Sequence, residues 1–191
     1  MKLRDARKNR QGIQDQFRTL IRRVHELIGG LDRARFNERP GDDRWSAGEC
    51  LDHLNATARL YLPELARAIE EGRRRGLTGS RPDGRTLLGR IIVWSLEPPP
   101  RIKTSTYEEI EPGRDLDPAE VADEFEALHE ELIVRINESA DLDRKRVTMR
   151  SVLMRRLTLS LDDWYAFLAA HARRHLYQAE QALEELQERA P

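Results

Sequence analysis

Apolar positions along this chain fall into four stretches with a helical period. In the first, Ile13, Phe17, Leu20, Ile21, Val24 and Ile28 recur at steps of three and four, the pattern of an amphipathic helix. Gly29-Gly30 end it, because glycine takes the left-handed conformation that a helix C-terminus favours. A polar loop follows through Asn37-Glu38-Arg39-Pro40-Gly41. The second stretch opens at Ser46-Ala47-Gly48-Glu49, the spacing of a capping box in which serine and glutamate each satisfy the other's amide. Leu51, Leu54, Ala58, Tyr61, Leu65 and Ile69 mark its buried stripe. Pro63 lies inside this run and is expected to kink it by removing one backbone donor, and Arg73-Arg74-Arg75-Gly76 close it.

The third stretch begins at Asp117-Pro118-Ala119-Glu120, where aspartate caps, proline fills the first turn and glutamate meets the positive end of the helix dipole. Val121, Phe125, Leu128, Leu132 and Ile136 are its apolar positions. The fourth begins at Ser160-Leu161-Asp162-Asp163 in the same serine-plus-acid style and carries Trp164, Leu168, Ala172, Leu176, Ala179 and Leu183. The predicted helices cover about 5–28, 46–73, 117–139 and 160–188. Between them, 77–116 reads as irregular. Thr86–Leu96 fits a short helix, although Ile91-Ile92-Val93-Trp94 also suits a buried strand. Pro98-Pro99-Pro100 predict an extended path, and Arg101–Arg114 a crossing loop. Four long amphipathic helices with one long connection predict an all-α four-helix bundle in a single domain spanning 1–191.

Composition narrows the partners. With 33 basic against 34 acidic residues, the net charge of -1 gives no field for nucleic acid or an anionic membrane. No run approaches the roughly 20 apolar residues of a membrane span, and the opening MKLRDARKNR is charged, so a cytoplasmic location is expected. The single cysteine, Cys50, excludes an internal disulfide and a Cys-rich zinc module. Its position suits a small buried residue better than a thiolate ligand.

The chemistry is carried by histidine. His171 and His175 are an i, i+4 pair; that spacing advances about 400° and puts both rings on one helix face, a turn apart. They continue the inward series of Trp164 and Leu168, and Gln178 follows in the same register. Burying two imidazoles without partners is costly. His53, near the start of the second helix and close to its stripe, is placed to add a third nitrogen from a facing helix. Three protein ligands leave a coordination position open, as in catalytic zinc sites. Gln178 is a candidate for orienting a ligand or substrate, and Glu49, one turn before His53, a candidate base beyond its capping role. Asp52 diverges from its neighbour by about 100° and is expected in solvent. Tyr61 and Tyr107 are assigned to packing and loop structure, and His25 and His129 have no partner at ligand spacing. Arg144, Lys145, Arg146, Arg150, Arg155 and Arg156 form a basic loop expected to be a solvated face.

Trp45-Ser46-Ala47-Gly48-Glu49-Cys50-Leu51-Asp52-His53-Leu54, followed far downstream by His171, His175 and Gln178, resembles the DinB-like superfamily of four-helix-bundle metalloproteins. Leu96–Arg101 and Leu157–Ser160 are similar as well, so the resemblance spans roughly Gln11 to Gln187. It implies an up-down-down-up bundle, a homodimer, and His53, His171 and His175 as ligands of zinc, nickel or iron. It also implies activities of the kind found in the wider superfamily, thiol S-transfer with bacillithiol or mycothiol and thiol-dependent isomerisation. The expected function is a metal-dependent enzyme acting on a small molecule, with the metal activating water or a low-molecular-weight thiol. A non-catalytic, stress-associated metal-binding bundle is the alternative, and a metal-free interaction module the plainest one.

Overall fold

The computed structural model describes residues 2–79, 84–99 and 106–189, with side chains from Arg10 onward. Among the described residues six α-helices dominate: α1 (Lys2–Ile28), α2 (Arg33–Asn37), α3 (Ala47–Arg74), α4 (Leu87–Leu96), α5 (Pro118–Glu138) and α6 (Leu161–Glu188). Two three-residue strands, β1 (Thr148–Arg150) and β2 (Thr158–Ser160), form an antiparallel pair with Met149 opposite Leu159. The chain is thus an all-α bundle, as its patterning predicts. No helix among the described residues is long and apolar enough to cross a membrane.

Four long helices make the bundle. Each of α1 and α3 packs on both α5 and α6. Side-chain contacts near the two ends of each pair give the directions. Asn55 donates to the Val121 carbonyl near the starts of α3 and α5, and Arg73 to the Glu138 carbonyl near their ends, so these two run parallel. Arg173 meets Gln16 and Arg23 meets Glu180, so α1 and α6 also run parallel. Gln14 with Asn137 and His25 with Glu126 set α1 against α5. Trp45 beside His175 and Tyr61 beside Trp164 set α3 against α6. The order is up-down-down-up. Because α3 and α5 are parallel, the chain must travel back about 40 Å, the length of a 28-residue helix, between them.

Local chemistry accounts for the elements. Ser46 with Glu49 and Ser160 with Asp163 each form a complete capping box, and Asp117 accepts from the amides of Ala119 and Glu120. Helix α3 runs through Pro63 without a break, with the proline on its exposed face. Phe17, Leu51, Leu65, Phe125, Trp164 and Leu176 are fully buried between the helices.

Several segments differ from the sequence reading. Thr86–Leu96 is a helix, not a buried strand: Thr86 caps it, and only Gly89 and Val93 are buried. The polar loop before α3 contains α2, capped by Asp32, which buries Phe36 against Gly48. At the proline run the chain bends at Glu97, Pro98 and Pro99, with a cis bond between the two prolines, instead of running extended; Pro100 and 101–105 lie outside the described residues. The basic loop contains the β1–β2 pair, and Arg144 leaves the solvated face to form a buried ion pair with Asp162 at 2.8 Å. Lys145, Arg146, Arg150, Arg155 and Arg156 are exposed.

Candidate metal centre

His53 enters from the second turn of α3, and His171 and His175 from successive turns of α6. Because the helices are antiparallel neighbours, the three rings converge, with centroids 4.4 to 5.1 Å apart. One ligand nitrogen from each lies within 4.8 Å of the other two. Aromatic rings wall the cluster. Trp45 lies 4.9 Å from His53 and 5.8 Å from His175, while Phe167 stacks on His171 at 5.6 Å.

Hydrogen bonding fixes the orientation of one ring. His53 Nδ1 stands 2.7 Å from the Ile110 carbonyl. A carbonyl only accepts, so Nδ1 carries the proton and Nε2 presents a lone pair to the cluster. That Nε2 lies 3.3 Å from His171 Nε2. Two nitrogens about 2.0–2.1 Å from one zinc-sized ion at a tetrahedral angle stand about 3.3–3.4 Å apart, so the spacing fits a shared cation. A proton carried by His171 also fits that pair, but it leaves the third ring unexplained. His175 Nδ1 and Gln178 Oε1 are both buried without a hydrogen-bond partner, the kind of deficit that a bound group relieves. Gln178 is near enough to His175 to favour its protonated form slightly.

The field in the cluster holds the rings neutral. Burial pushes His171 down to about 3, and the neighbouring His53 and Arg174 add to the effect. Burial likewise takes His175 well below the ordinary range, with His171, His53 and Arg174 contributing. His53 is lowered by burial, offset in part by its bond to Ile110 and by Asp52. Neutral imidazole is the form that binds a cation, so little proton competition remains at neutral pH. The donor set, three neutral nitrogens without a thiolate, suits a divalent transition metal.

The other sequence-derived candidates sit as follows. Glu49 is buried with both oxygens occupied. Arg39 donates to each of them, and the Ser46 amide donates to Oε2. Burial pushes this carboxyl up, but Arg39 and Ser46 outweigh it and hold the group below the ordinary carboxylate range. Cys50 is buried in the core, its thiol pushed up to about 12 by burial. Tyr61 is buried and bonds to Ser151 at 3.0 Å; Tyr107 is exposed before the 3-10 turn Glu108–Ile110. His25 pairs with Glu126 on the surface, and His129 is buried against Phe125. Asp52 departs from expectation: its side chain is only 15% exposed and accepts from the Gly113 amide at 2.7 Å.

Two features of the site were absent from the sequence reading. Phe167 precedes His171 by four residues, so the helical period that paired the histidines also places it beside them. The Ile110 carbonyl carries no such signal, being a backbone group 57 residues from His53.

The sequence profile of the DinB superfamily matches residues 16–179, a span that contains all three histidines and Gln178. No curated protein matches the chain, nor does any solved structure.

Proposed function

From the premise that the chain belongs to the DinB superfamily, we propose that it is a metal-dependent enzyme acting on a small molecule, with His53, His171 and His175 as the ligands. The observation that carries this reading is the convergence of three neutral imidazoles from two helices, with one ligand nitrogen of each within 4.8 Å of the others. A divalent transition metal held there supplies Lewis acidity, which stabilises negative charge on an attacking oxygen or sulfur at neutral pH.

The chain's own groups do the rest. His53 is held in one tautomer by Ile110, so its lone pair is aimed before any ligand arrives. Trp45 and Phe167 exclude water from two sides of the rings and strengthen electrostatic interactions among them. Gln178, with an unpartnered oxygen, is placed to accept a proton-bearing group of substrate, or to orient His175. Glu49 acts at most through Arg39, since its oxygens are already bonded. No fourth His, Cys, Asp or Glu joins the cluster among the described residues. Three protein ligands would leave a bound ion a coordination position for substrate or water, which would favour catalysis over a purely structural ion. Hydrolysis and transfer of a low-molecular-weight thiol are the two reactions this arrangement suits.

Metal analysis of protein purified without a histidine tag tests the reading. Wild type is expected to hold about one ion per chain and His171→Ala none that survives dialysis, because two ligands do not retain a dication tightly. Equal content in the two proteins, or wild-type content far below one, overturns it. Cobalt-substituted protein separates enzyme from structural site. Adding 2-mercaptoethanol is expected to shift its visible spectrum, whereas an unchanged spectrum supports a closed, non-catalytic ion.

We also propose that the protein works as a homodimer. Helix α4 supports this, since Leu87, Leu88, Ile91 and Trp94 are half or more exposed along one face.

A further inference from the structure

We propose that Asp52 is a positioning residue for the metal site, acting through the segment 110–116 to hold His53 in its ligating tautomer. The inference rests on the metal reading above and concerns what keeps that site assembled.

Adjacent residues of α3 grip the same strap. His53 Nδ1–H donates to the Ile110 carbonyl at 2.7 Å, and Asp52 Oδ2 accepts the Gly113 amide at 2.7 Å. The two bonds have opposite polarity and lie three residues apart on the strap, so together they fix both its distance from α3 and its rotation. One bond alone would allow the strap to pivot. Ile110 ends the 3-10 turn with its side chain buried, and beyond it the strap is irregular, with Asp115 in the left-handed region at φ 56°, so no helix or strand ladder holds the segment that follows. Its other tethers lie further along the strap. Arg114 lies 3.9 Å from Glu49 of α3, Arg33 bonds to Asp115, and Asn37 brackets Leu116 with two bonds of 2.8 Å. Among the described residues, Asp52 makes the side-chain hydrogen bond to the strap that follows Ile110 most closely. Its carboxylate also has Arg59 at 3.9 Å, but it is the Gly113 bond that has the geometry to set the strap.

Topology makes such an anchor necessary. Parallel α3 and α5 oblige the chain to return the length of the bundle, and the last part of that return passes over the start of α3, where His53 stands. A ligand histidine whose other nitrogen is bonded to a fixed acceptor keeps its tautomer and ring angle, and loss of such a partner typically costs 10- to 100-fold in metal affinity. Asp52 is one bond further out, so its removal should fall at the lower end.

The test compares Asp52→Ala and Asp52→Asn with wild type. The asparagine keeps an acceptor oxygen but not the charge. Zinc affinity is measured by competition with a chelator, and the metal-free proteins are examined by nitrogen NMR of the imidazoles and by hydrogen exchange at Gly113. Expected for Asp52→Ala are about tenfold weaker zinc binding, a rise in the Nε2–H tautomer of His53 and faster exchange at Gly113. Asp52→Asn should stay near wild type in all three. If both variants weaken zinc equally while the tautomer stays fixed, Asp52 acts by charge alone and the proposal fails. It also fails if Asp52→Ala binds zinc like wild type. Wild-type protein that binds no zinc would instead sink the metal reading, leaving the tautomer and exchange results to decide on the strap.

Discussion

His129 gives a measure of what burying an imidazole costs in this protein. It is fully enclosed, stacks on Phe125 at 3.6 Å and donates from Nδ1 to the Phe125 carbonyl. Burial lowers it from the ordinary 6.5 to about 4, despite that bond. The unfolded chain therefore binds a proton at this residue before the native one does, and acid favours unfolding. The stability it withholds from the acid-unfolded chain is complete above pH 6.5 and is lost as pH falls toward 4, at about 1.4 kcal/mol per pH unit. In chelator-treated protein, His129→Leu should flatten the fall of the urea midpoint between those limits by one proton's worth, even if its stability at pH 8 is lower. An unchanged slope would mean that His129 is not neutral in the native state. This residue also marks what the sequence could say about single side chains. Spacing set His171 beside His175, and absence of spacing left His129 without a role. Burial of Arg144 and the Gly113 bond of Asp52 were invisible, since each depends on a partner from a segment whose position only the folded chain determines.

Among the elements, those longer than about three turns were plain in the sequence, because an apolar stripe needs several turns to declare a period. The short ones were not. Strands of three residues bury one or two side chains, Met149 in β1 and Leu159 with Ser160 in β2, too few for an alternation to show. Helix α2 has five residues and buries only Phe36. Yet it is closely fitted to the start of α3. A β-carbon at Gly48 would stand 2.8 Å from the Phe36 ring and 3.2 Å from its carbonyl. Glycine is thus required at this position for packing. Gly48→Ala should cost about 1–3 kcal/mol, the usual penalty for overpacking a filled site, read as a lowered urea midpoint with unchanged slope. It should also loosen zinc binding slightly, because Trp45 and the Ser46 cap adjoin the displaced turn. Full stability in Gly48→Ala would show that α2 moves aside freely and does not brace the site.

On the scale of the molecule, helix directions were legible only through the resemblance carried by Trp45–Leu54 and the α6 histidines; periodicity tells which face of a helix is buried but not which neighbour covers it. The surface is where the fold leaves something unsettled. Helix α4 packs Val93 against Ala166 and Ala170 of α6, while its outer face exposes Leu87 by 75%, Leu88 by 50%, Ile91 by 54% and Trp94 by 61%. These four side chains offer on the order of 500 Å², at the upper end of what a monomer leaves uncovered. Pairing two copies across a twofold axis would bury about 1,000 Å² in total, the lower bound of a stable interface. An antiparallel pairing centred on Ile91 would set Trp94 of one copy over Leu87 and Leu88 of the other, matching a large side chain to two smaller ones, as an isologous contact requires. On the homodimer proposal, Ile91→Asp places like charges face to face on the axis and leaves the buried face of α4 untouched. Sedimentation equilibrium should give a dimer for wild type and a monomer for Ile91→Asp, with the helical circular dichroism of the two unchanged. A wild-type protein that stays monomeric at high concentration rejects the dimer, and a dimeric Ile91→Asp moves the interface away from α4, to the faces of the long helices.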